Sequence, residues 1–281
     1  MINIGKFNKM KVAREVDFGL FLDAGTGNMS DDILLPNGNL NGMELNEQDE
    51  VNAFIYRDSK DRLVATLRAP LAQVGEMAYL KVVGEADFGS FIDIGLERDV
   101  LVPKKEENYM ITVGASYLFY IYVDKTDRLA ATTFIDRYLE DDAPYSIGDE
   151  VSATVYGFQT NGSIMVAVDD KYRGVVLKNE YFERVVPGEK LNLRVKKIYD
   201  EDGKLGLTPR KSPKEERTQL QDDILDYLKE HNGFMEYNDK SSPEDIKAVF
   251  HESKNYFKNA LGGLMKKQLI KQDETGTYLI K

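Results

Sequence analysis

The chain runs to 281 residues, enough for two or more domains, and its 42% hydrophobic content is enough to fill their cores. With 37 Lys and Arg against 48 Asp and Glu the net charge is -11, which argues against a protein that coats nucleic acid through bulk positive charge while leaving room for a local basic face. There is no Cys, so a disulfide framework, a thiolate metal site and a Cys nucleophile are excluded; with no apolar signal-peptide core between Met1 and Lys11 and no apolar run of about 18 residues, the expectation is a cytoplasmic protein without a membrane partner.

From the N-terminus the chain reads as short strands, apolar and β-branched runs parted by Gly, Asn and Asp turns. Asp17-Phe18-Gly19-Leu20-Phe21-Leu22-Asp23 comes first. Val51-Asn52-Ala53-Phe54-Ile55-Tyr56 then alternates with period two, and Asp58-x-x-x-Arg62-Leu63-x-Ala65-Thr66 follows. About 70 residues on, the order returns. Gly75-Glu76 opens a strand, Asp87-Phe88-Gly89-Ser90-Phe91-Ile92-Asp93 repeats the first phrase, and Tyr117 to Val123 leads into Asp124-x-x-x-Arg128-Leu129-x-Ala131-Thr132. A fainter third copy has Gly148-Asp149, Asn161-Gly162-Ser163-Ile164-Met165-Val166, Gly188-Glu189, Leu191 to Ile198, and Asp200-x-x-x-Lys204-Leu205-x-Leu207-Thr208. A period of this length marks a domain array, because a shorter unit could not hold its own core. Some five strands per unit is what a small closed barrel needs.

After Pro209 the texture changes. Ser212-Pro213-Lys214-Glu215 is a capping-box start with Pro at the first helical position, followed by Leu220, Ile224, Leu225 and Leu228 on one helical face. Ser242-Pro243-Glu244-Asp245 opens a second helix in the same way, and Ser253 a third, with Tyr256, Phe257, Ala260, Leu261, Leu264 and Met265 as its apolar stripe. Leu269 to Gln272 and Thr277 to Ile280 flank Asp273-Glu274-Thr275-Gly276, a hairpin signal. Three helices and then a hairpin is the order of a winged helix.

The repeated unit resembles the S1 domain, an oligonucleotide-binding barrel. That resemblance implies two aromatics three apart that stack bases, with an Asp and an Arg four apart nearby. Phe18, Phe21, Asp58 and Arg62 match in the first repeat; Phe88, Phe91, Asp124 and Arg128 match in the second. The family's His position falls near Pro36 and Pro103 and is missing from both. In the third repeat Asn161 and Ile164 stand where the aromatics would be, while Asp200 and Lys204 remain. An exposed Phe can stack any base, at about 1–3 kcal/mol per base. The alternative is that each Phe packs into its barrel, because residues i and i+3 of a strand face opposite ways unless a bulge intervenes; Gly19 and Gly89 are candidates for that bulge or for close approach of a ligand. The Asp-x-x-x-Arg phrase reads equally as an internal turn clamp.

Charge supplies further candidates. Between Val151 and Tyr199 there are 8 basic residues, among them Arg194, Lys196 and Lys197, against 5 acidic ones. The third repeat can therefore bind through phosphates, or simply carry a solvated surface. On the third C-terminal helix, Asn255, Lys258, Asn259, Gly262 and Lys266 lie opposite the apolar stripe, with Lys254 and Lys267 at the rim; such a face suits base edges and phosphates, or another protein. Catalysis finds little support. His231 and His251 are the only histidines, no Gly-rich phosphate loop is present, and the acidic clusters Asp31-Asp32, Asp141-Asp142 and Asp200-Glu201-Asp202 lie in turn-like stretches. The expectation is no enzyme, no catalytic residue, no metal and no cofactor.

The whole order resembles the conserved virulence factor B family of bacterial RNA-binding proteins, with Ser242-Pro243-Glu244-Asp245 and Ser253-Lys254-x-x-Phe257-Lys258-x-Ala260 carrying its C-terminal pattern. The resemblance implies a multidomain, mainly β chain: three S1-type OB-fold barrels at 1–69, 70–140 and 141–211, the last divergent, and an α+β winged helix at 212–281. It also implies binding of single-stranded RNA and an influence on virulence gene expression. Weak sites held together by short linkers would act multivalently. A winged-helix regulator that binds duplex DNA, and a scaffold that docks on ribosomal or RNA-degradation machinery, are the alternatives.

Overall fold

The computed structural model describes residues 2–181, 184–210 and 213–280. The chain forms two compact units, Met1–Pro209 and Arg210–Lys281.

The first unit holds three barrels. Strands β1 (Phe7–Val16), β2 (Gly19–Leu22), β3 (Ile33–Pro36), β4 (Glu50–Arg57) and β5 (Leu63–Thr66) close in the order β1-β2-β3-β5-β4. Strands β6 (Met77–Ala86), β7 (Gly89–Ile92), β8 (Val100–Pro103), β9 (Ser116–Val123) and β10 (Leu129–Thr132) repeat that topology, as do β11 (Glu150–Phe158), β12 (Ile164–Val168), β13 (Tyr172–Val176), β14 (Lys190–Ile198) and β15 (Leu205–Thr208). Each barrel is an OB-like closed sheet in which the third and fifth strands run parallel. Closure leaves no edge strand to pair with a stranger.

The alternating strands point one side inward. Val12, Leu20, Leu22, Leu35, Val51 and Ile55 fill the first core, and Val82, Ile92, Val102, Phe119 and Ile121 the second. The Gly-acidic pairs expected to open strands lie in the turns just before them. There the carboxylates of Glu76, Asp149 and Glu189 each accept a hydrogen bond from the backbone three residues back, at 2.9, 2.8 and 3.1 Å.

The outward residues of β4 are not solvated. Phe54 and Tyr56 are buried with Val64 against Leu96 and Leu129 of the second barrel. Leu118, Ile135, Leu139, Tyr156 and Ala167 make an equivalent layer between the second and third barrels. The barrels are thus joined by packed interfaces, where the sequence suggested sites on short tethers.

The second unit has α1 (Pro213–Glu230), β16 (Phe234–Met235), α2 (Pro243–Phe250), α3 (Lys254–Lys266), β17 (Ile270–Gln272) and β18 (Thr277–Leu279). The expected Ser212 cap lies outside the described residues. Ser242 caps α2 by accepting from Asp245 N at 3.1 Å, and Ser253 caps α3 by accepting from Tyr256 N at 3.3 Å. Leu220, Ile224, Leu228, Ile246, Phe257, Leu261 and Leu264 form the core. Two details differ from expectation. Met265 is exposed, because it lies at the edge of the α3 stripe. The hairpin gains a third strand, β16, which pairs with β18 and is too short to show a periodicity.

Candidate nucleic-acid interface

The repeated aromatics face outward in both of the first two barrels. Phe18 does not lie on a strand: with Asp17 it forms the two-residue turn between β1 and β2, and it is 60% exposed. Phe21 follows on the outer face of β2, half-buried, while Leu20 and Leu22 point into the core. This removes the conflict over i and i+3, since only one of the two rings obeys the strand alternation. The rings meet edge to face, their centroids 6.5 Å apart. Phe88, 61% exposed, and Phe91 repeat the arrangement at 6.0 Å.

The glycines between the rings act on the protein's own backbone. Gly19 has φ of 156°, and a Cβ there would come within 2.3 Å of the Leu35 carbonyl oxygen; at Gly89, with φ of 152°, the Val102 oxygen would be 2.1 Å away. The turn can therefore close onto the third strand only with Gly. The bulges lie elsewhere, in the preceding strand between Val12 and Arg14 and between Val82 and Gly84. They set Arg14 opposite Phe21 and Gly84 opposite Phe91.

That register separates the two sites. The Arg14 guanidinium carbon sits 4.1 Å from the Phe21 ring centroid, and the group pairs with the buried carboxylate of Asp32. A cation over the ring is favourable and covers one face of it. No sequence motif marks Arg14, since its place depends on the bulge.

The Asp-x-x-x-Arg phrases build loops. Asp58 Oδ1 accepts from the backbone of Lys60 and Arg62 at 2.8 and 3.0 Å, and Oδ2 takes the Arg62 guanidinium at 2.7 and 3.0 Å. Burial works to raise the Asp58 carboxyl, but the Arg62 bonds and the Lys60 amide outweigh it and hold the group below the usual aspartate value. Asp124 likewise accepts from the backbone of Thr126 and Arg128 at 2.7 and 3.1 Å. Arg128, however, turns away from Asp124 and grips Asp61 of the first barrel with two bonds of 2.7 and 2.6 Å, holding the Asp61 carboxyl below its ordinary value. Arg57 reaches back to Asp127 at 3.3 Å. The two loops are therefore joined by reciprocal ion pairs across the barrel boundary.

These residues meet in one place. A groove of about 340 Å³ is lined by Phe88, Phe91, Arg98, Asp124 and Arg128 of the second barrel and by Arg57 and Asp58 of the first. Arg98, which belongs to neither repeated phrase, is exposed there and has no ion-pair partner among the described residues. The site thus offers two flat rings beside a free guanidinium, the combination that takes an unstacked base and its phosphate.

The third barrel is built differently. Its hairpin turn has three residues, Thr160-Asn161-Gly162, closed by Gln159 N donating to Ser163 O at 2.8 Å. The extra residue shifts the register. Met165, paired with Gly157, holds the position of Phe21 and Phe91, while Ile164 is fully buried, which corrects the assignment of Ile164 to that position. The basic cluster is largely engaged. Lys196 Nζ lies 2.6 Å from Glu180, Lys197 sits 4.3 Å over the Tyr199 ring, and Lys204 pairs with Asp202 at 3.0 Å. Arg194 is half-buried on β14.

On α3 of the second unit, Asn255, Lys258, Asn259, Gly262 and Lys266 are all exposed. Lys258 and Lys266 make no ion pair among the described residues. Lys267 is tied to Gln221 at 2.7 Å and Lys254 to the Lys240 carbonyl at 3.4 Å.

Three OB-like barrels, two of them with outward ring pairs, followed by a winged helix, define a tandem S1-domain protein. Residues 4–68 and 74–134 match the S1 domain family, and residues 222–279 match the CvfB-like winged helix domain family. The chain is 31% identical over 264 residues to conserved virulence factor B of Staphylococcus epidermidis, covering 86% of each chain. It is 32% identical over 280 residues to the uncharacterized protein YitL of Bacillus subtilis, covering 96% of this chain and 91% of that one. The chain belongs to the conserved virulence factor B family. A crystal structure of a multidomain protein with nucleic acid binding domains from Streptococcus pneumoniae TIGR4 matches with a TM-score of 0.55 at 28% identity, over 99% of this chain and 98% of that one. Among the described residues no helix is long and apolar enough to cross a membrane.

Proposed function

We propose that the protein binds single-stranded RNA, with the second barrel's groove as the principal site, and acts in the cytoplasm as a non-catalytic regulator of gene expression. The observation that carries this reading is the outward pair Phe88 and Phe91 beside the unpaired Arg98. Ring faces take unpaired bases, which a duplex keeps stacked, and the net charge of -11 disfavours loose polymer held by charge alone. The S1 match over both ring-bearing barrels, and the likeness to the pneumococcal protein with its nucleic acid binding domains, support nucleic-acid binding in general. The choice of RNA, and of virulence genes as its targets, rests on the family.

The test is binding of labelled single-stranded RNA, single-stranded DNA and duplex DNA to the full chain at two salt concentrations. Retention of single-stranded RNA at low salt, with duplex excluded, is the expected result. No retention at low salt would overturn the reading. Preference for duplex, lost on substitution of Lys258 and Lys266, would favour a DNA regulator acting through α3, whose free amide and ammonium groups are exposed.

A further inference from the structure

The third barrel lacks the ring pair, yet the place where its rings would sit is not empty. A groove of about 420 Å³ lies between the second and third barrels, lined by Lys105, Asn108, Phe134, Arg137, Tyr156 and Met165 together with Glu106 and Asp136. Its floor is Met165, at the register position of Phe91, with Gly157 opposite it as Gly84 stands opposite Phe91. A Cβ at residue 157 would meet the Met165 methyl at 2.8 Å and the Asn108 amide nitrogen at 3.6 Å, so the thioether and the amide both lie over this glycine. The groove is thus the counterpart, one barrel further on, of the Phe88–Phe91 groove.

Its ring comes from the segment that leaves the second barrel. Phe134 is 41% exposed, while its neighbour Ile135 is fully buried in the layer between the barrels and anchors it. In the first barrel the equivalent position, two residues after the closing Thr66, is Arg68, whose guanidinium donates to the Gly38 carbonyl at 2.8 Å. The charged lining is two cations and two carboxylates, and one of those carboxylates already has a cationic partner. Lys105 and Arg137 are exposed and make no ion pair among the described residues, Arg137 resting 4.8 Å over the Tyr138 ring, whereas Asp136 is engaged by the Tyr156 hydroxyl at 2.6 Å and Arg173 at 3.5 Å. Lys105 and Arg137 thus keep their N–H donors available to a ligand, and of the two carboxylates in the lining Glu106 is the one without an ion pair among the described residues.

We propose that this groove is a second subsite for single-stranded RNA. Phe134 stacks one base against the soft surface of Met165, the Asn108 amide meets the base edge, and Lys105 and Arg137 take the flanking phosphates. The divergent barrel has kept a binding place and changed which segment supplies its aromatic. The proposal rests on the single-strand reading above, and the experiment separates the two.

Binding of an end-labelled oligouridylate of roughly 20 nucleotides, long enough to cover more than one barrel, is measured by fluorescence anisotropy with the full chain. Photo-crosslinking with 4-thiouridine is run in parallel. Phe134→Ala is expected to weaken binding by about 5- to 150-fold, the loss of one stacked base, without changing the melting temperature of so exposed a position. Phe134→Tyr is expected to keep wild-type affinity, and wild-type crosslinks are expected in the segments holding Lys105 and Phe134. Wild-type affinity in Phe134→Ala, with crosslinks confined to Phe88 and Phe91, would overturn the second subsite and leave the first standing. If the unaltered chain fails to bind the oligomer, both readings fall.

Discussion

In the first barrel an arginine covers Phe21, and an aspartate holds that arginine in place. In the second barrel Gly84 stands at the same register and leaves Phe91 uncovered, beside the free guanidinium of Arg98. The barrels share their topology, their turn and their ring geometry, so the difference between them comes from one bulge-adjacent position and one loop. Likeness of fold here sets where a base can lie, and the neighbouring cation decides whether the place is open.

The contrast can be broken most directly at the rings. Replacing Phe88 and Phe91 with Ala together is expected to cost about 2–6 kcal/mol of single-stranded RNA affinity, two stacked bases, in an anisotropy titration. The same change at Phe18 and Phe21 is expected to cost less, because Arg14 already occupies one face; equal losses would abolish the distinction. In the third barrel, Ile164→Ala should lower stability by about 2–5 kcal/mol in chemical denaturation, as a fully buried side chain does. Met165→Ala, at the groove, should lower it far less, and the reverse order would restore the register read from the sequence. Gly89→Ala should destabilise by about 1–3 kcal/mol, since its Cβ has no room against Val102 O. Gly84→Ala meets nothing closer than 3.7 Å and should leave the melting temperature unchanged.

The smallest effect concerns the loop contact. Asp61 has its carboxyl held down by Arg128, so its contribution to stability is complete above the ordinary aspartate value of about 3.9 and disappears as pH falls through the lower folded value. A carboxyl titration by NMR should place the Asp61 midpoint below that value, and Arg128→Gln should return it upward. An unshifted midpoint would mean that the reciprocal pairs do not persist in solution.

Much of this could be read from the sequence because repetition marks its own important positions. Phe18 and Phe88 stand in the same phrase, and both proved outward-facing; the caps at Ser242 and Ser253 and the outward residues of α3 obey local rules that need no tertiary knowledge. What escaped depends on insertion or contact. Arg14 comes to Phe21 only because β1 gains a residue after Val12. Met165 replaces Ile164 only because the third hairpin turn is one residue longer. Asp61 gives no sign of its role, since its partner lies in the next repeat, and Phe54 and Tyr56 look like an ordinary outward face until the second barrel covers them.

That covering makes each barrel's flank depend on its neighbour. Phe54, Tyr56 and Val64 are tailored to Leu96 and Leu129, and Tyr156 to Ile135 and Leu139, so no repeat can be exchanged for another or cut away without exposing a greasy flank. A fragment ending at residue 69 would leave Phe54, Tyr56 and Val64 without the cover of Leu96 and Leu129, however well its own strands closed.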